Sequence, residues 1–275
     1  MKKKRKIKYD LLILEIILIM IAVVYIFPAV LIVMNSLKTD TQINLNPVSL
    51  PTSFNIGNFI TAWQTIHFPK VLLNTFIITL FSTIGIIIIG SMAAYVMVRI
   101  KFRLSWVAYL IFTFSILVPF QTFMVPLVMF SKDLHFQSIA GIIPIYWGLG
   151  CPIAVFMFHG FIKSVPVELE EAATIDGANI FHIFFRIVFP LLTPIVATIA
   201  ILDVLWIWND FLLPLIILPK QSTLQLAQYG FFSQFRREYG PATASLVLSS
   251  IPVIAFYLAM QKYIVKGIMA GAVKG

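Results

Sequence analysis

Glu171-Ala172-Ala173-Thr174-Ile175-Asp176-Gly177, followed by Ile187 and Pro190, decides how this chain is read. These residues belong to a polar, acidic island of 28 residues, 163–190, set between long apolar runs. Ser164 is placed to cap a helix, and Pro166 suits a first turn, where backbone N–H groups have no intrahelical partner. Glu168, Glu170 and Glu171 then lie near the positive end of the helix dipole, which favours acidic side chains. Leu169, Ala172, Ala173 and Asp176 follow i, i+3, i+4, i+7 spacing, giving one narrow face with small side chains at its centre. Gly177 can adopt a backbone conformation closed to other residues and so break the helix. Asn179 is placed to cap a second helix through Ile187, which Pro190 limits. The prediction is helix, turn, helix, with an alanine face that another protein's backbone can approach closely. An ordinary solvated acidic loop is the alternative. The alanine face and the glycine break at a fixed distance favour a docking surface just outside a membrane.

The rest of the composition supplies that membrane. Charged residues make up 11% of the chain, against about 25% in soluble domains. Apolar residues reach 60% and the mean hydropathy is +0.97. Uncharged runs recur that are long enough to cross a hydrocarbon core of ~30 Å as helices. They are continuous Ile/Leu/Phe runs rather than the alternating ten-residue segments of a β-barrel. The single cysteine, Cys151, excludes an internal disulfide or a paired-cysteine metal site. The net charge of +9 is concentrated at Lys2, Lys3, Lys4, Arg5, Lys6 and Lys8, directly before the first apolar run. There it marks a cytoplasmic flank, not a nucleic-acid surface. The apolar stretch 11–34 is too long for a cleaved signal peptide and is expected to remain as the first helix.

Six spans are expected at roughly 11–34, 71–98, 105–131, 138–162, 191–212 and 241–261. With both ends inside, cytoplasmic segments hold 14 Lys/Arg and outside loops hold 6, the bias that the positive-inside rule requires. The chain then reads as one transmembrane domain, 1–275, all-α and polytopic. It has a basic flank 1–10, a cytoplasmic loop 163–190 and a cytoplasmic tail 262–275. Outside loops 35–70 and 213–240 carry turn residues, and the latter holds Phe231, Phe232, Phe235, Arg236 and Arg237. Such a segment fits an interfacial belt or a docking site equally.

The island also carries a family signature. E-A-A-x-x-x-G with I-x-L-P beyond it is the mark of bacterial ABC-importer permeases, matched here by Glu171-Ala172-Ala173, Gly177, Ile187 and Pro190, with Phe189 in place of Leu. Four further stretches resemble the carbohydrate, maltose-type branch: Asn35-Ser36-Leu37-Lys38, Ala93-Ala94-Tyr95, Trp208-Asn209-Asp210-Phe211-Leu212 and the ending 267–275. The resemblance implies the importer-permease fold, six transmembrane helices with a cytoplasmic coupling helix. Glu170, Glu171, Ala172, Ala173, Asp176, Gly177 and Ala178 would seat in a cytoplasmic ATPase subunit, and Gly271, Val273, Lys274 and Gly275 in the tail would reach the ATPase pair. It further implies a homologous second permease, an extracellular sugar-binding protein, and location in the bacterial cell membrane with both termini cytoplasmic. ATP and Mg²⁺ would be held by the ATPase subunits. Independently of the family, this chain has no G-x-x-x-x-G-K-[ST] phosphate loop, so it is read as a transport subunit and not an enzyme.

Polar residues inside the apolar runs form a second group. Asp203 lies 13 residues beyond Pro190, roughly 20 Å along a helix, where an ionised carboxylate costs about 2.5–3.5 kcal/mol. It is either a pore-lining group or a structural acid. Asn209 and Asp210 flank Trp206 and Trp208, a pairing that suits a glycan, although an interfacial belt explains the tryptophans as well. Gln121 follows Pro119 in the third span, where two prolines (the other is Pro126) predict irregular backbone. Gln121, Asp203, Asn209 and Asp210 are therefore the expected substrate path. A competing function is an ion-coupled carrier with Asp203 as the coupling site. The scattered histidines 67, 135, 159 and 182 offer no metal or catalytic arrangement.

Overall fold

A computed structural model describes residues 9–100, 102–219, 222–232 and 238–272, with backbone alone at 9–10 and 262–272. The expectations for the basic flank through Lys8 and for Phe235, Arg236, Arg237, Val273, Lys274 and Gly275 lie outside the described residues. Gly271 falls within the last helix.

The elements are helices throughout the described residues. In chain order they are α1 (Tyr9–Ser36), α2 (Asp40–Leu45), α3 (Gly57–Thr65), α4 (Phe68–Arg99), α5 (Arg103–Ser115), α6 (Phe120–Asp133) and α7 (Ile139–Ile162). Then follow α8 (Glu168–Ile175), α9 (Ile180–Ile183), a π-helical turn Phe184–Val188, α10 (Phe189–Leu191), α11 (Thr193–Asn209), α12 (Leu212–Ile217), α13 (Leu224–Tyr229) and α14 (Tyr239–Ala272). Four helices, α1, α4, α7 and α14, are each long and apolar enough to cross a bilayer, and six crossings result when two bent pairs are counted as one each.

The first bent pair corrects the expected third span. Residues 105–131 do not form one helix: α5 and α6 meet at 105°. Pro119 explains the break. It sits before α6 in an extended conformation (φ −62°, ψ 135°), and the residue preceding a proline is itself pushed out of the helical region. Pro126, by contrast, lies inside α6. The second pair, 180–191 and 193–209, bends by 77° at Leu192, next to Pro190 and Pro194. Span five also stops earlier than expected, at Asn209, and the chain restarts as α12.

The contacts group into two units, Met1–Phe68 with Gln228–Ser250, and Pro69–Ala227 with Ile251–Gly275. In the first, the loop expected at 35–70 is tightly organised. Lys38 is completely buried and donates to the carbonyls of Asn46 (3.3 Å) and Pro47 (3.0 Å), the C-terminal end of α2. Asn58 Nδ2 donates to the carbonyls of Ser36 (2.9 Å) and Lys38 (2.7 Å). Asp40 Oδ1 accepts from the Gly240 N–H at 2.7 Å.

In the second unit α4 and α7 pack closely because each removes side chains at the contact. A Cβ on Gly85 would lie 1.9 Å from Trp147 Nε1, and one on Gly150 would lie 2.4 Å from Ile86 Cδ1. Small residues at such crossings let backbones approach where lipid offers no hydrophobic drive. Trp147 Nε1 donates to the Phe81 carbonyl at 3.1 Å across the contact. Ile142, Tyr146, Val155, Phe158 and Ile86 are fully buried along it. Cys151 is a free, buried thiol.

Helix α4 also sets the distance between residues 222–224 and the island. Near its start Thr75 Oγ1 accepts from the Leu224 N–H at 3.0 Å. At its end Arg99 meets Glu170. Twenty-four residues separate Thr75 from Arg99, so residues 222–224 and the island 163–190 lie ~36 Å apart, a bilayer's thickness.

Candidate functional site

The island folds as predicted at its turn and differently at its start. Helix α8 begins at Glu168 with Val167 before it and no side-chain cap; the Ser164 hydroxyl donates back to the Phe161 carbonyl instead, at 2.7 Å. The helix ends in a Schellman turn: the Ala178 N–H donates to the Ala173 carbonyl and the Gly177 N–H to the Thr174 carbonyl, both at 3.0 Å. Gly177 has φ +83°, the left-handed region that this turn requires. Asn179 Oδ1 then accepts from the His182 N–H at 2.8 Å and caps α9, as its position predicts. The π-helical turn at Phe184–Val188 follows, a local widening frequent at functional sites.

Within α8 the acidic residues divide. Glu171, Ala172, Asp176 and Gly177 are exposed, whereas Ala173 and Ala178 are half-buried against the core. Glu170 points inward and is 8% exposed. Its Oε2 accepts from Tyr95 OH at 2.8 Å, and its Oε1 meets Arg99 Nε at 2.8 Å and Nη2 at 2.7 Å. Arg99 Nη2 also donates to the Val165 carbonyl at 3.0 Å. Glu170, grouped by sequence with the docking residues, instead fastens α8 to the end of α4. Its partners Arg99 and Tyr95 lie 71 and 75 positions away, out of reach of any local reading. The acidic run alone does not reveal which glutamate turns inward.

The exposed surface is more apolar than the motif implies. Ile175 is 87% exposed, and Ile180 and Phe181, beyond the turn at Gly177, are exposed as well. An open cleft of about 490 Å³ runs past Ala173, Asp176, Gly177, Asn179, His182 and Ile187. The available signal in the sequence is Ile175, Ile180 and Phe181 standing together within an otherwise polar island.

A second site lies deeper in the same unit. A cavity of about 550 Å³ is bordered by Ser115, Phe120 and Phe123 at the α5–α6 break, Gly148 on α7, and Trp206 and Asp210 at the end of α11. Asp210 Oδ2 accepts from Tyr146 OH at 2.9 Å and its Oδ1 from the Leu212 N–H at 3.0 Å. The Trp206 indole packs edge-on to the Tyr146 ring. Of the four expected path residues only Asp210 borders this cavity. Gln121 is exposed in the first turn of α6. Asn209 is exposed, and its amide donates to the Leu205 carbonyl at 2.8 Å. Asp203 is 8% exposed, with Oδ2 lacking a hydrogen-bond partner. No three His, Cys, Asp or Glu side chains converge as metal ligands among the described residues.

The sequence profile described as "Binding-protein-dependent transport system inner membrane component" matches residues 86–270, which include the whole island and both helix breaks. The chain belongs to this family. The permease is 39% identical over 98% of its length, and 99% of the relative's, to a protein of Thermoanaerobacterium thermosulfurigenes named "Probable starch degradation products transport system permease protein AmyC". It is 36% identical, over 93% of its own chain and 94% of the other, to the melibiose/raffinose/stachyose import permease protein MelC of Bacillus subtilis. With the multiple sugar-binding transport system permease protein MsmG of Streptococcus mutans it shares 35% identity over the full length of both. Its fold matches a chain in the crystal structure of a bacterial ABC transporter involved in import of the acidic polysaccharide alginate (TM-score 0.77, 21% identity, 96% of this chain and 99% of that one). The permease is thus a multi-pass inner-membrane transport protein of the importer-permease fold.

Proposed function

We propose that this permease forms half of the membrane pathway of an ATP-driven, binding-protein-dependent importer for a sugar or small oligosaccharide. Family membership and the sugar transporters among its relatives support the reading and favour it over an ion-coupled carrier. Its partners are a homologous second permease, a pair of cytoplasmic ATPase subunits that hold ATP and Mg²⁺, and an extracellular sugar-binding protein. This chain has no ATPase site and binds no cofactor of its own. The island faces the cytoplasm, as do both termini.

One observation carries the mechanism: α8 is rigidly fastened from behind and exposed in front. The Glu170–Arg99–Tyr95 cluster fixes it to α4, and the Schellman turn at Gly177 fixes its end. Glu171, Ala172, Asp176 and Gly177, with Ile175, face outward to meet the ATPase. Closure of the ATPase pair displaces α8, and the buried ion pair passes that displacement to α4. The bent pairs α5–α6 and 180–191/193–209 supply the joints. The tail residues Gly271, Val273, Lys274 and Gly275 make a second contact with the ATPase pair, and Asp203 is a structural acid. The test is uptake by the whole transporter with Glu171→Lys in this chain. Membrane insertion is retained and ATP-driven sugar uptake is lost; normal uptake would refute the docking role.

A further inference from the structure

We propose that the cavity beside Trp206 and Asp210 is a subsite for a neutral saccharide ring, so that this subunit itself contacts the transported sugar. The inference rests on the sugar-importer reading above. It goes further by giving this chain, and these residues, direct contact with the cargo.

Three irregularities converge on the one space. The chain breaks between Ser115 and Phe120, it breaks again at Asp210 and Phe211, and α7 carries Gly148 between them. Irregular backbone at membrane depth is tolerated where it borders a cavity, and discontinuous helices commonly build substrate sites. A Cβ built on Gly148 would meet nothing within 4 Å, so the glycine opens onto free space rather than onto a packed neighbour.

The chemistry of the wall selects the occupant. Trp206, Phe120 and Phe123 border the cavity with aromatic rings, the kind of surface on which the C–H face of a sugar ring stacks. Asp210 Oδ1 accepts from the Leu212 and Leu213 N–H groups, and Oδ2 accepts from Tyr146 OH. A carboxylate oxygen accepts more than one hydrogen bond, so Oδ2 keeps a lone pair for a sugar hydroxyl. A lipid acyl chain would leave that lone pair unmet. An acidic sugar would place its own carboxylate against Asp210, and like charges repel most strongly where water is scarce. The occupant is therefore neutral.

The direct test is saturation-transfer NMR on the complete transporter in nanodiscs, without its binding protein, using maltotriose and trigalacturonate as probes. The expected result is a maltotriose signal, kept in Trp206→Phe and reduced at least several-fold in Trp206→Leu and Gly148→Phe, with little signal from trigalacturonate. Equal signals from wild type and Trp206→Leu would overturn the proposal, as would no maltotriose signal in wild type or a preference for the acid. The Trp206 pair decides the matter even if Gly148→Phe fails to assemble. Uptake by wild-type cells supplied with the binding protein is read separately. Failure there counts against the importer reading, whereas normal uptake with unchanged NMR signals counts against the subsite alone.

Discussion

Arg99 and Glu170, 71 residues apart in sequence, form a two-pronged ion pair: Nε and Nη2 of the guanidinium lie 2.8 and 2.7 Å from the same carboxylate oxygen, Oε1. Both side chains are largely shielded from solvent, at 16% and 10% exposure. Because Tyr95 and the Val165 carbonyl complete the set, the cluster ties the end of α4, the approach to α8 and α8 itself into one joint.

Breaking that joint is expected to uncouple transport before it prevents insertion. Arg99→Ala leaves the Glu170 carboxylate shielded and unpaired, a loss of about 3–5 kcal/mol in buried pairs. Arg99→Lys keeps the charge but loses the planar fork, so it falls between wild type and alanine. Uptake relative to ATP hydrolysis in reconstituted transporter measures this order; equal coupling in all three would exclude a mechanical role for the pair.

Gly177 is expected to rank substitutions by backbone tolerance. Its φ of +83° costs other residues about 1–2 kcal/mol, and asparagine visits this region most readily. A Cβ there meets nothing within 4 Å, so crowding does not intervene in the isolated chain. Transport activity should follow Gly, then Asn, then Ala, then Val. Co-purification of the ATPase subunits across the series checks it, and a loss that does not follow this order would point to side-chain contact instead.

At the α4–α7 crossing, Gly85→Ala drives a methyl group into Trp147 and disturbs its hydrogen bond to Phe81. Overpacking of this kind costs about 1–3 kcal/mol. Thermal unfolding in detergent should show a lower midpoint for Gly85→Ala than for Gly160→Ala, whose Cβ meets nothing.

Asp203→Asn is expected to change uptake only modestly. The carboxylate is buried and borders no part of the Trp206 cavity, and in the function proposed above ATP hydrolysis, not a proton site, drives transport. Abolished uptake with normal assembly would reopen a proton-coupling role.

The island shows which features a sequence makes legible. Gly177 and Asn179 each act through the backbone within three residues, so their roles follow from local chemistry. Ser164 is an equally good local candidate for a cap, but the chain reaches helical geometry only after Pro166, and its hydroxyl turns back to Phe161. Apolar length places the spans well, yet it cannot separate Pro119, which breaks the α5–α6 path by 105°, from Pro126, which sits inside α6. That difference depends on what packs around each proline. The inward turn of Glu170 and the convergence of Trp206, Asp210 and Gly148 are long-range facts, set by how α4, α7 and α11 meet. A composition that is apolar on every face of these helices carries no phase from which to read such contacts.

The central claim is that α8 is the surface on which the ATPase acts. Cysteine cross-linking tests it most directly, because the native Cys151 is buried and a thiol introduced at Ala172 stands exposed. With Ala172→Cys in the assembled transporter, a short bifunctional reagent should join this chain to the ATPase subunit, and ATP should change the yield. A thiol at Ala172 that never reaches the ATPase, in a complex that still hydrolyses ATP and imports sugar, would contradict the account.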